Sequence, residues 1–127
     1  MKKYLIISLI ICLSALAACT TATSNNTEPF VGTWTLTSYT PSGGAAVTGA
    51  ALATMMTETI VVKGDNTYTG TGTFQSSAPS TFSGTWSKSG STYTVTASGG
   101  SASSGTISGN LFTTDDAASN IYVFTKS

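Results

Sequence analysis

The sequence predicts an all-β protein, a small eight-stranded antiparallel up-and-down barrel with one short helix between the first two strands. Three observations support this fold class. Threonine alternates with apolar residues or glycine along several short segments, most regularly from Tyr68 to Phe74, and a period of two is typical of a strand with one buried face. Clusters of Gly, Ser, Asn and Asp separate these segments at nearly even spacing. Strands joined in chain order by short loops can close and so protect their edges.

Eight segments have this strand pattern. The first runs from Phe30 to Tyr39, and residues 58–63 and 67–74 flank a hairpin turn at Gly64-Asp65-Asn66. The other strands are expected at residues 81–87, 91–97, 102–108, 111–113 and 120–126. The large rings expected to face the interior, and to line any ligand site there, are Trp34, Tyr68, Phe74, Phe82, Trp86 and Tyr93. Inward glycines beside these rings either leave a cavity or let the rings interlock.

Residues 45–57 form the one segment with helical character, because Leu52, Met55 and Met56 share a face at helical spacing. Two roles for this short helix are open. It would either plug one open end of the sheet or form a mobile lid over a ligand cavity, since methionine adapts well to binding surfaces.

The N-terminal segment has the three-part layout of an export signal. Two lysines precede an apolar run over residues 4–15, which is shorter than the ~20 residues that span a bilayer. The following residues 16–19, Leu-Ala-Ala-Cys, resemble the lipobox of bacterial lipoproteins. The resemblance implies a signal peptide over residues 1–18 and fatty acyl chains such as palmitate on Cys19. Residues 20–29 are polar and have no periodicity, so residues 19–29 are expected to form a flexible tether.

The same resemblance predicts where the protein resides. Thr20 rather than Asp follows Cys19, which in a two-membrane bacterium implies sorting to the outer membrane. The expected location is therefore the cell envelope, with the membrane as a partner through the lipid anchor. Cys12 lies in the signal peptide, so Cys19 is the one cysteine of the mature chain and a disulfide is not expected. Residues 30–127 would form a single barrel domain.

Composition argues against catalysis and nucleic-acid binding. Charged residues make up 8% of the chain, and His and Arg are both missing, so it lacks the clustered cations that neutralise phosphates. Acid–base catalysis needs neighbouring groups with tuned pKa values. Glu58 is expected in water at the start of a strand; the alternative is that it points inward with Ile60 and Val62, where burial would raise its pKa. Asp115 and Asp116 are expected to solvate a loop rather than bind a metal. We therefore expect no enzymatic activity, cofactor, metal or nucleic-acid partner.

Two short motifs resemble a known family. FVGTW at residues 30–34 opens the eight-stranded meander as the Gly-x-Trp signature does in lipocalins, and GTW at residues 84–86 is similar to short bacterial lipocalin-like domains of exported lipoproteins. The resemblance covers nearly all of residues 30–126 and implies a barrel whose floor is closed by Trp34. Lipocalins usually stack an Arg on this Trp, whereas the chain offers Lys126, which lacks a planar guanidinium.

The leading functional prediction is a membrane-anchored lipocalin-like lipoprotein that binds a small hydrophobic molecule. The alternative is a non-enzymatic envelope or surface interaction module with a filled core. An eight-stranded barrel is just wide enough for either arrangement. A short chain has few apolar residues to spare for lining a void, which favours the filled core. The sequence leaves the ligand, the protein partner and the oligomeric state open.

Overall fold

The computed structural model describes residues 28–127, which form one antiparallel sheet curled into a barrel. The elements in chain order are β1 (Gly32–Thr40), β2 (Val47–Thr48), α1 (Gly49–Met55), β3 (Met56–Val62), β4 (Thr67–Phe74), β5 (Ser80–Ser89), β6 (Thr92–Ala97), β7 (Ala102–Ser108), β8 (Leu111–Asp115) and β9 (Ile121–Lys126). Eight of these strands make the wall. The two-residue β2 is an addition that pairs with the end of β1.

The wall closes because β1 pairs with a strand on each side. From β3 to β9 each strand pairs antiparallel with the next one. β1 then pairs with β3, where Trp34 lies opposite Ile60, and with β9, where Leu36 lies opposite Phe124. The predicted fold class, a closed eight-stranded antiparallel barrel with one short helix, is confirmed.

The two ends of the barrel differ and are named here the floor and the mouth. The floor is the end where β1 begins at Gly32 and β9 ends at Lys126. The mouth is the opposite end, where β9 begins at Ile121 and α1 leads into β3 at Met56. The N-terminal segment before β1 therefore reaches the barrel at its floor.

Side chains along the wall alternate as the sequence pattern predicts. In β4, Tyr68 and Gly70 are buried while Thr69 and Thr71 are exposed, because successive strand residues point to opposite faces. The buried apolar core consists of Phe30, Trp34, Leu36, Leu52, Ile60, Val62, Tyr68, Trp86, Tyr93, Phe112 and Phe124. Threonine and serine cover much of the outer face.

One irregularity changes which residues of β1 face the interior. The register of β1 against β9 shifts between Leu36 and Ser38, so Thr37 is the extra residue of a β-bulge. Beyond the bulge Tyr39 lies opposite Tyr122, with ring centroids 5.3 Å apart, and packs against the core. Strict alternation from Leu36 would have placed Tyr39 outside.

The placement of Phe30 on the first strand is wrong. β1 begins at Gly32, and the Val31 N–H donates to the Glu28 carbonyl at 2.9 Å in a turn that precedes it. Gly32 has φ +142°, a backbone conformation that glycine adopts at little cost, and a Cβ here would lie 2.6 Å from the Lys126 side chain. The turn directs Phe30 into the barrel, where it is fully buried.

The helix is shorter than the predicted residues 45–57. Thr48 and Met56 bound α1 with extended backbones, because Thr48 belongs to β2 and Met56 begins β3. A seven-residue helix is marginal in water, and the packing of its buried Leu52 is what stabilises it. Among residues 28–127, no helix combines the length and apolarity needed to cross a membrane.

The predictions for the N-terminal segment lie largely outside the described residues. These are the signal peptide over residues 1–18, lipidation of Cys19, and the tether as far as residue 27. Glu28 and Pro29, the last two residues assigned to the tether, are described, and both contact the barrel floor through Lys88 and Lys126. Glu28 and Pro29 are therefore attached to the barrel, although the sequence analysis assigned them to the tether.

Candidate functional site

The floor half of the barrel is filled by five aromatic side chains. Phe30 lies at their centre, with its ring centroid 6.0 Å from Trp34, 5.4 Å from Trp86 and 4.8 Å from both Tyr93 and Phe112. Aromatic rings attract one another in tilted and edge-on arrangements at these distances. All five side chains are more than nine-tenths buried, so the floor is a packed core.

Trp34 and Lys126 hold the N-terminal segment against this floor. The indole N–H of Trp34 donates a hydrogen bond to the Phe30 carbonyl at 2.8 Å. The Lys126 ammonium donates to the Pro29 carbonyl at 2.7 Å and lies 5.5 Å from the centroid of the Trp34 ring, within cation–π range. Lys126 thus occupies the position for which the family resemblance implied an arginine, with a point charge in place of a stacked guanidinium.

Glu28 makes a second attachment at the floor. Its carboxylate pairs with the Lys88 ammonium at 3.0 Å and accepts a hydrogen bond from the Tyr93 hydroxyl. That hydrogen bond, helped by Lys88, lowers the pKa of Glu28. Burial, followed by the bond to Glu28, raises the pKa of Tyr93. The pair with Lys88 is partly exposed, so the ion pair itself contributes little stability.

Inward glycines in the wall are covered by rings from neighbouring strands. A Cβ added at any of three glycines would lie within 3 Å of such a ring, so the ring occupies the space that a side chain would take. The pairs are Gly70 with Phe82, Gly84 with Tyr68 and Gly105 with Phe112. The sequence left open whether inward glycines create a cavity or let the rings interlock. At these three positions the rings interlock with the glycines.

The mouth half of the barrel contains a cavity of about 380 Å³ that is open to the outside. Its lining residues are Glu58, Ile60, Tyr68, Phe82, Val95, Ala97, Ser101, Ser103, Phe112, Thr114, Asp116, Tyr122 and Phe124. Small-molecule sites typically have a volume of roughly 300–1,000 Å³, mainly apolar walls and a few polar groups. This cavity has those features.

Glu58 is the carboxylate inside the cavity. The expected placement in water at a strand end is wrong and the inward alternative holds, because β3 begins two residues earlier at Met56 and Glu58 lies within the strand, on the same face as Ile60. Glu58 is half-buried, and burial raises its pKa. Burial is also the single cause of that shift, so neither a cation nor a hydrogen-bond donor of residues 28–127 stabilises the charged form.

Asp116 and Tyr122 form the polar rim of the cavity. The Asp116 carboxylate accepts hydrogen bonds from the backbone N–H groups of Ala118 and Asn120, from the Asn120 amide, and from the Tyr122 hydroxyl at 3.0 Å. The Asn120 bonds are the main cause of the lowered pKa of Asp116. Burial, then the bond to Asp116, raises the pKa of Tyr122 to about 12. Asp116 is therefore a charged group whose acceptor positions are already used.

The six rings predicted to line a ligand site lie in three different places. Tyr68 and Phe82 line the cavity. Trp34, Trp86 and Tyr93 belong to the packed floor. Phe74 is 55% exposed, so its predicted interior position is wrong. β4 pairs with β5 only as far as Gly72 and Ser80. Phe74 therefore lies beyond the closed wall and pairs with β3 alone, opposite Met56.

The three helix residues predicted to form a lid are not in the cavity lining. Leu52 is buried, Met56 is half-buried, and Met55 is 37% exposed. α1 contacts β1, β2 and β3, and β1 pairs with β3 as far as Thr35 and Thr59. The helix thus lies beside the wall where these two strands separate. A lid movement over the mouth stays a prediction.

The sequence analysis missed most of the cavity lining. Phe112 and Phe124 lie in short strands from which no site residue was predicted. Ser103 and Thr114 carry no sequence signal that separates them from the many hydroxyl residues on the outer face. Strand alternation would have found Val95, because it lies two residues after Tyr93 in the same strand and therefore on the same face. Within residues 28–127, no group of three or more carboxylates or cysteines is placed to hold a metal ion.

The fold and the cavity together define a closed antiparallel β-barrel with a packed floor and a ligand-sized cavity at its mouth. The sequence model of the Lipocalin-like domain family matches residues 30–125. The chain therefore belongs to this family, whose members generally have a non-enzymatic binding fold. A comparison with curated proteins finds no matching sequence.

Proposed function

We propose that the protein is a membrane-anchored lipocalin-like barrel that binds a small, mainly apolar molecule in the cavity at its mouth. One observation carries this proposal, namely that a volume of about 380 Å³ remains above a floor already filled by five rings. Barrels of eight strands either fill completely or hold one small ligand. The packed floor supplies stability, and the mouth half is left for binding.

The cavity wall suits a ligand with a large apolar part. Ile60, Phe82, Val95 and Phe124 present aliphatic and aromatic surface, and covering such surface contributes roughly 25 cal/mol per Å². The polar groups lie near the mouth, where Asp116 is held by its own hydrogen bonds. A ligand would therefore enter with its apolar part toward the floor and its polar part toward the mouth.

The anchor is the second part of the proposal. It rests on the lipobox at residues 16–19 and on the point where the chain enters the barrel. Glu28 and Pro29 lie against the floor, so a lipid on Cys19 would be connected to the closed end. The mouth would then face away from the membrane, toward the aqueous compartment of the envelope. For a two-membrane bacterium we propose the outer membrane as the anchoring site.

Binding is tested with tryptophol, a neutral indole alcohol, added to the full-length protein in a nonionic detergent and followed by isothermal titration calorimetry. We expect one tryptophol per protein. Val95→Trp would fill the cavity and abolish binding, whereas Thr96→Trp adds the same ring on the opposite face of β6 and should leave binding unchanged. An absence of heat with the wild type, or binding that survives Val95→Trp, would contradict the proposal.

Anchoring is tested by expressing the full chain in a two-membrane bacterium and separating detergent-soluble from aqueous proteins. The wild type should enter the detergent phase, with a mass increased by acyl groups. Cys19→Ser should move to the aqueous phase or stay unprocessed, without that added mass. Cys12→Ser is the matched control, because Cys12 lies in the predicted signal peptide. Equal behaviour of the two variants would refute lipidation at Cys19.

An interaction module is the second candidate function, favoured by the exposed apolar side chains at the mouth. Phe74 is 55% and Met55 37% exposed, and the two are neighbours because the Gln75 N–H donates to the Met55 carbonyl at 2.7 Å. A protein partner docking there should be lost from cellular crosslinks in Phe74→Glu. It should be retained in Leu111→Glu, which changes another exposed apolar residue, 41% accessible and near the floor. Identical crosslinks in both variants would remove this candidate.

A further inference from the structure

Charge is distributed unevenly between the two ends of the barrel. The lysines of residues 28–127 all lie toward the floor, with Lys63 after β3, Lys88 on Glu28 and Lys126 on Trp34. The mouth carries carboxylates in β3 and at the end of β8, and the cavity lining includes Glu58 and Asp116 but no lysine. The chain has neither Arg nor His. A ligand that enters the mouth therefore meets negative charge alone.

The two cavity carboxylates are in different states. Asp116 accepts four hydrogen bonds from its own loop and from Tyr122. Glu58 lies near the mouth end of β3, two residues before Ile60, and burial acts on it without a compensating donor or cation from the described residues. A buried carboxylate is costly unless it is paired or hydrogen-bonded. The group that would relieve this cost is missing from the described fold, and the cavity leaves room for a ligand to supply it.

We propose that the cavity selects a small amphiphilic organic cation, with its ammonium group against Glu58 and its apolar part against Ile60, Phe82 and Phe124. This inference rests on the proposed binding function and adds the class of ligand. The ammonium ion supplies the missing counter-charge and up to three donors. The ionised Asp116 at the rim adds a second attraction along the path of entry.

The same arrangement disfavours fatty acids and other apolar anions. A carboxylate ligand would bring a third negative charge close to Glu58 and Asp116, and like charges placed together in an interface are strongly unfavourable. Lys126, the one lysine at the end of β9, is already used at the floor by Pro29 and Trp34. Membership of a family with an apolar interior therefore does not make this cavity a fatty-acid site.

Cation binding should depend on pH. The other titratable groups that line the cavity are Tyr68 from β4, Tyr122 from β9 and Asp116 from the loop before β9. Burial is the main cause of the raised pKa of both tyrosines, and the charge on Glu58 adds to it. None of the three groups can carry a positive charge. Protonation of Glu58 in acid would remove its attraction for an ammonium group. The affinity for a cation should therefore fall as the pH drops through the raised pKa of Glu58.

The test uses three ligands with the same indole ring, which are tryptamine as the cation, tryptophol as the neutral alcohol and indoleacetate as the anion. Each is titrated into the full-length protein by calorimetry at neutral pH. Tryptamine should bind about tenfold or more tightly than tryptophol, because hydrogen bonds to charged groups are stronger than neutral ones. Indoleacetate should bind more weakly than tryptophol.

Glu58→Gln should remove the advantage of tryptamine over tryptophol. Asp115→Asn is the matched control, since it removes one negative charge at the same end of the barrel from a residue outside the cavity lining, and it should keep the advantage. Three outcomes would overturn the cation inference while leaving the proposed binding function intact. They are equal affinities of the wild type for the three ligands, a preference for indoleacetate, and an advantage of tryptamine that survives Glu58→Gln. Failure of all three ligands to bind would overturn the proposed function as well.

Discussion

Removing the ring of Phe30 should destabilise the protein strongly, although this residue lies before the first strand. Its side chain is fully buried and contacts the rings of Trp34, Trp86, Tyr93 and Phe112 at centroid distances of 4.8–6.0 Å. Replacing a buried Phe by Ala costs about 3–5 kcal/mol from lost transfer energy and the cavity left behind. We expect the upper part of that range, because four ring contacts disappear together.

This loss is large compared with the total free energy of unfolding. Domains of this size are stable by roughly 5–15 kcal/mol, and each kcal/mol corresponds to about 4–8 °C in Tm. At about 4–5 kcal/mol, Phe30→Ala should therefore lower Tm by roughly 16–40 °C. Urea unfolding followed by tryptophan fluorescence is a suitable assay, since Trp34 and Trp86 are the two tryptophans of the chain and both contact Phe30.

Val31→Ala is the control, because Val31 is the next residue and is half-buried. It should cost about 1 kcal/mol or less, at about 0.8 kcal/mol per fully buried methylene. A loss in Phe30→Ala no greater than in Val31→Ala would show that the N-terminal segment does not unfold together with the barrel. The description of Phe30 as a structural part of the floor would then be refuted.

Three further variants test the electrostatics and packing of the barrel. The Tyr93 hydrogen bond holds the pKa of Glu28 below its ordinary value of 4.5. The contribution of Glu28 to stability is therefore present above that pH and is lost in stronger acid. Glu28→Gln should reduce this loss of stability in acid, measured by urea unfolding at several pH values. Burial raises the pKa of Glu58 above 4.5, so its ionisation costs stability as pH rises, and Glu58→Gln should be more stable than the wild type near neutral pH but not in acid. Gly84→Ala should cost about 1–3 kcal/mol, because the new Cβ would lie 2.1 Å from the Thr96 carbonyl oxygen.

Each of these variants has an outcome that contradicts its reasoning. If Glu28→Gln and the wild type lose the same free energy of unfolding in acid, the contacts of Glu28 do not contribute to stability. A Glu58→Gln protein that is less stable at neutral pH would mean that the carboxylate has a stabilising partner inside the fold. Wild-type stability in Gly84→Ala would mean that β5 and β6 can separate there without cost.

The strand order could be predicted from sequence because its signals are local. Threonine alternates with larger residues within each strand, and turn residues such as Asn66, at φ 66°, mark the hairpins. The short loops then require neighbouring strands to pair in chain order. Phe112 and Phe124, which complete the core, lie on short or uniformly apolar strands where the alternation is weak.

The binding site could not be predicted in the same way, because it depends on contacts between distant segments. Glu58 lies within β3 because the strand starts at Met56, and the helical spacing of Met55 and Met56 from Leu52 concealed this boundary. Phe74 continues the alternation of β4, but the staggered start of β5 leaves it outside the wall. Which half of the barrel is filled depends on Phe30, which enters from outside the sheet.

The division of the barrel into a packed floor and a binding mouth is tested most directly by methyl NMR of the full-length protein during titration with tryptophol. Ile60 and Val95 line the cavity, whereas Val62 is buried beside the floor at 2% exposure. The methyl signals of Ile60 and Val95 should shift in proportion to occupancy while those of Val62 stay in place. Shifts confined to exposed methyl groups such as those of Val61 and Ile121, with Ile60 and Val95 unchanged, would contradict binding in the cavity.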